Sequence, residues 1–126
     1  MELLKFNPEN ELEVAIVSAK RGGLSLPDLM KKFTQSDVYI SSKREVTQDG
    51  SGFDPLLVGS PENPLVAAFS SLSRPSLHAK MAAYVLRMKG REFLHRLPQG
   101  YGVAFNPGYE AQLIISSDVI SDLKKI

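Results

Sequence analysis

The sequence contains no cysteine and no tryptophan among its 126 residues. Without cysteine there is no disulfide framework, zinc ribbon, thiol nucleophile or iron–sulfur cluster to consider. Aromatic residues make up only 8% of the chain, which gives no sign of a base-stacking platform. Net charge is nearly absent too: 15 Lys and Arg face 14 Asp and Glu, leaving +1. That balance excludes a strong global attraction to nucleic acid or anionic membrane, although it permits a local patch. Long apolar runs are also missing. Leu65–Phe69 and Met81–Leu86 fall far short of the roughly 20 residues a membrane-spanning helix needs. Met1–Glu9 has no basic stretch leading into an apolar one, as a secretory signal would. The expectation is one cytoplasmic domain over residues 1–126, with no cofactor, no membrane association and no nucleic-acid partner.

What is present is ordinary globular material, 43% hydrophobic and 23% charged. Asn7-Pro8-Glu9 predicts a helix start, with Asn7 as N-cap and Pro8 in the first turn. Glu9, Glu11 and Glu13 would then favour the positive end of the helix dipole, and Arg21-Gly22-Gly23 would stop the helix. Ser25-Leu26-Pro27-Asp28 predicts a second helix with an apolar stripe of Leu26, Leu29, Met30 and Phe33. Strands are expected at Asp37–Lys43 and Phe53–Val58, joined through an Asp49-Gly50 hairpin turn. A buried central strand is expected at Leu65–Phe69. Met81–Leu86 reads either as a strand or as the extension of a preceding helix. A short helix over 90–97, strands at Gly102–Phe105 and Ala111–Ile115, and a closing helix capped by Ser116 or Ser117 complete the order. The pattern is α+β (mixed α/β): one mixed sheet with helices packed on its faces.

Groups able to carry chemistry are sparse. The two histidines, His78 and His95, fall in predicted helices, without the further ligands at compatible spacing that a metal site needs. No Gly-x-Ser-x-Gly elbow, Walker sequence or Gly-x-Gly-x-x-Gly occurs. Hydroxyls at Ser70, Ser71 and Ser73 beside Arg74, at a strand-to-helix turn, suit an anion; ordinary capping also explains them, and caps are much commoner than anion sites. Charge is unevenly spread. Residues 1–13 hold four Glu against Lys5, whereas residues 74–96 hold six Lys and Arg against Glu92. A cationic zone of that kind steers acidic partners, or merely faces water. Within it, Arg87, Lys89 and Arg91 sit at a predicted strand–helix junction. Tyr109 and Glu110 lie on a connection expected to be exposed. These five residues are the candidates for contact with a protein partner.

Two passages resemble a known family. Leu65-Val66-Ala67-Ala68-Phe69-Ser70-Ser71-Leu72 is similar to the apolar strand followed by Phe-Thr/Ser-Ser of the SseB family N-terminal domain. Gly102-Val103-Ala104-Phe105-Asn106-Pro107-Gly108 resembles that family's strand ending in Asn-Pro-Gly. Lys89-Gly90-Arg91-Glu92-Phe93-Leu94 and Leu113-Ile114-Ile115-Ser116 fit the family order between and after them. The resemblance covers residues 8–126 and is specific in the second half; the second, C-terminal domain of longer members has no counterpart here. It implies a bacterial, cytoplasmic, non-catalytic protein. It further implies a partner-binding role, most concretely as an immunity protein for a toxin such as those delivered by type VI secretion. A small-ligand or anion sensor, or a secretion-associated regulator, is the alternative.

Overall fold

The computed structural model describes residues 5–47 and 52–124; the Asp49-Gly50 turn expected from the sequence lies outside them. The first helix, α1 (Glu11–Lys20), starts three residues later than the Asn7-Pro8 signal predicts. Asn10 is the N-cap, accepting from the Glu13 backbone N–H at 2.9 Å, while the Asn7 carbonyl is drawn away to accept from Arg74 Nη2. The chain leaves α1 at Gly22, whose φ of 83° suits glycine. Helix α2 (Leu26–Gln35) follows the expected signal, with Ser25 as N-cap and Pro27 in the first turn.

Strand β1 (Asp37–Ser42) follows directly. The second strand is displaced from its expected range. Residues 53–56 touch β1 irregularly, through the Ser42–Pro55 bridge, the Leu56 N–H to Ser41 carbonyl bond and the Asp54 N–H to Ser42 Oγ bond. The regular strand β2 (Leu57–Ser60) instead forms a hairpin with β3 (Asn63–Phe69). Pro55 cannot donate to a ladder, so regular pairing begins only after it. A 3₁₀ turn (Arg74–His78) leads into β4 (Tyr84–Lys89), three residues beyond the Met81–Leu86 run. Helix α3 (Gly90–Arg96), β5 (Gly102–Phe105), β6 (Leu113–Ile115) and α4 (Ser117–Lys124) complete the chain.

The six strands form one mixed sheet in the order β4-β1-β3-β5-β6, with β2 against the first half of β3. Among the described strands only β3 and β5 pair in parallel, Ala67 opposite Ala104. The fold is α+β. Alternation along each strand sorts side chains between the faces. Val38, Ile40, Val66, Ala68, Val103 and Phe105 join the buried sides of all four α-helices in the main core. Phe33 centres it, edge-on to Phe105 at 4.8 Å and to Phe93 at 6.3 Å. The other face is covered more thinly, by Leu56 and Ala82 over Ala67 and Phe69. No described helix is long and apolar enough to cross a membrane.

Gly90 marks where β4 becomes α3, and its N–H donates to the Ser36 carbonyl at the end of α2. A β-carbon there would lie 2.1 Å from the Phe33 carbonyl oxygen, a backbone atom that cannot swing aside. Gly90→Ala is therefore expected to lower stability by about 1–3 kcal/mol, read as a lower urea midpoint at unchanged slope. An unchanged midpoint would show that α2 and α3 are not held this closely.

Candidate functional site

The carboxyl ends of adjacent parallel strands are where open sheets with helices commonly hold ligands. Here β3 ends at Phe69 and β5 at Phe105, and both run into polar turns. Asn106 takes a left-handed conformation, φ 49°, which asparagine tolerates better than most residues. This turns its side chain back toward β3: its Oδ1 accepts from the Ser70 N–H at 3.2 Å and its Nδ2 donates to Ser70 Oγ at 2.9 Å.

Into this crevice α1 inserts Glu13, fully buried despite its place in the first turn of the helix. Arg74 meets it with a two-pronged contact, Nε to Oε2 at 3.0 Å and Nη2 to Oε1 at 2.7 Å. Ser70 Oγ donates to Oε2 at 2.5 Å and the Glu9 N–H donates to Oε1 at 2.9 Å. The Arg74 guanidinium lies 4.1 Å from the centre of the Phe6 ring, with the Tyr109 ring on another side at 5.4 Å. The Glu13 contact is the main reason the Arg74 pKa is raised above its ordinary value, against the opposing effect of burial. Tyr109 is pushed up chiefly by burial, and its hydroxyl donates to the Arg74 carbonyl at 2.8 Å.

Outside the ion pair a second carboxylate closes the cluster. Glu9 Oε1 accepts from Ser71 Oγ and from Ser73 Oγ, each at 2.5 Å, and lies 3.8 Å from Arg74. The two hydroxyl bonds, Ser71 first, hold the Glu9 pKa below its ordinary value, with Arg74 adding to the effect. Ser70, Ser71, Ser73 and Arg74 are thus brought together as the sequence predicts. The place an incoming anion would take is filled by Glu9 and Glu13. With two carboxylates against one guanidinium, a ligand anion would have to displace one of them.

The five partner-contact candidates are not assembled into one surface. Arg87 and Lys89 alternate with the core residues Leu86 and Met88, which places them on the thinly covered sheet face. Lys89 pairs with Asp37 at 3.0 Å. Arg91 stands on α3, on the rim of a cleft between helices. Glu110 is exposed. Tyr109, expected on an exposed connection, is instead 6% exposed, because its ring packs edge-on to Phe6 at 6.2 Å while its hydroxyl is held by Arg74.

The histidines are far apart in role. His78 Nε2 bonds the Pro107 carbonyl at 2.8 Å and its ring packs against Phe69, whereas His95 is exposed beside the helical cleft. The sequence reads Glu13 as a first-turn acid favouring the helix dipole; its one local clue to more is the Asn10-x-x-Glu13 spacing, which resembles a capping box. In comparisons with protein-family models, curated proteins and solved structures, nothing matched this chain.

Removing one partner of a buried ion pair leaves an uncompensated charge and typically costs about 3–5 kcal/mol. Glu13→Gln and Arg74→Met should each lose stability on that scale, and the double variant should lose less than the two combined. Additive losses in urea unfolding would mean the pair is not coupled. For Glu9 the sign follows from its lowered pKa. Its contribution is complete above the ordinary value of 4.5 and is lost as pH falls through the depressed one. Wild-type stability should therefore fall more steeply with acid than that of Glu9→Gln; parallel curves would exclude the Glu9 linkage.

Proposed function

We propose that this chain is a non-catalytic, cytoplasmic protein-binding domain of SseB-like type, most concretely an immunity protein that occludes a cognate bacterial toxin. The observation that carries this reading is edge strand β4. Among the described residues it pairs on one side only, with β1; it presents exposed Val85 (41%), Arg87 and Lys89 on the thinly covered face and exposed Tyr84 (45%) on the opposite face of the same edge. An unpaired strand edge with the Arg87 guanidinium on one face and the Tyr84 ring on the other suits an acidic partner that adds along the edge and grips both faces. The polar cluster at the sheet end supports the same reading, because its hydrogen bonds and charges are committed to joining α1 to the sheet. Tyr84 takes the anchoring role that sequence reasoning gave to Tyr109. Occlusion would bury roughly 800 Å² on each partner if the interface is of ordinary size.

The test begins with a toxin encoded beside this chain's gene in its native host. The purified chain should abolish the toxin's activity at one-to-one stoichiometry. Tyr84→Ala should weaken the complex by about 2 kcal/mol or more. Arg87→Glu should mainly slow association and reduce its salt dependence. A toxin left fully active, or affinity unchanged in both variants, would overturn the reading or move the interface off β4, respectively.

A further inference from the structure

A cleft of about 710 Å³ opens between α2, α3 and α4, and none of the ion-pair cluster's residues lines it. That volume lies within the range of small-molecule sites. Met30 and Leu94 form its floor, Leu26, Val119 and Leu123 its sides, and its lining is mostly apolar.

The charges around the cleft are distributed unevenly. Lys32 on α2 pairs with Glu11 at 2.7 Å and Arg96 on α3 pairs with Glu92 at 2.9 Å. The cations of those same helices that line the cleft, Lys31 and Arg91, are exposed and make no ion pair among the described residues. Exposed His95 stands beside them. Lys124, the remaining cation, donates to the Leu97 carbonyl. Asp122 of α4 is the one acid in this lining, against Lys31, Arg91 and Lys124; that cationic excess at the mouth of an apolar cleft calls for a ligand with an apolar body and a single negative head.

We propose that this cleft binds a small anionic amphiphile, a carboxylate on a short unbranched apolar chain. The chain lies over Met30, Leu94, Val119 and Leu123, and the carboxylate stays at the rim beside Lys31 and Arg91. The seven residues of α3 span about 10 Å at the helical rise, which suits a chain of about eight carbons. The site is separate from β4 and does not depend on the protein-binding reading.

The probes are octanoate, octylammonium and octanol, titrated into the full chain while methyl and amide NMR signals are followed. Octanoate should saturate one site, perturb Met30, Leu94, Val119 and Leu123, and bind about 10-fold or more tightly than octylammonium. Lys31→Glu combined with Arg91→Glu alters only exposed, unpaired side chains. It should weaken octanoate by a similar factor and leave octanol unchanged. The head-group comparison on the unaltered chain decides the question even if that variant folds poorly. Absence of saturation, equal affinity for the three head groups, or signals shifting away from the cleft would each overturn the proposal.

Discussion

The Glu13–Arg74 pair fastens α1 and the segment before it to the point where β3 and β5 end. Its two charges draw in the segment before α1, the turn after β3 and the turn after β5. Taking both groups out of water is costly, and their attraction alone rarely returns that cost in full. The remaining valences are therefore met by Ser70, the Glu9 backbone and the Asn7 carbonyl, while Phe6 and Tyr109 shield the guanidinium. The pair acts chiefly against alternatives. Any docking of α1 that separates Glu13 from Arg74 leaves a buried charge without a partner.

Placing all four α-helices on one face leaves the two faces of the sheet unequal. The helical side has the large aromatic core around Phe33, and it also has the seam where three helices fail to close completely. The opposite side is thin, so Arg87 and Val85 of β4 stay available at its edge. The buried cluster, the helical cleft and the open edge are thus three separate regions with different chemistry. Only the first is fully committed to holding the fold.

Features governed by neighbouring residues were legible in the sequence. The Ser25–Pro27 start of α2, the apolar run of β3 and the Asn106-Pro107-Gly108 reversal each depend on local sterics and capping. Features governed by distant partners were not. Glu13 reads as an ordinary first-turn acid until Arg74, 61 positions away, is placed beside it. Tyr109 reads as a loop aromatic until Phe6 is known to cover it. The alternation of Leu86 and Met88 in β4 was masked by Met81-Ala82-Ala83, whose composition suits a helix as well as a strand. The cleft was invisible because its lining comes from three helices spread over most of the chain.

The spacing of the ion pair also bears on biosynthesis. The segment of α1 leaves the ribosome long before Arg74 has been translated, and the Asn106 turn comes later still. At ordinary elongation rates the 61 residues between the two charges take about 3–12 s to make. Throughout that interval the Glu13 carboxylate has no counter-ion to accompany it out of water. Helix α1 can therefore form early as a local element, but it cannot settle onto the sheet until both turns exist. Assembly of this domain is deferred until most of the polypeptide has been synthesised.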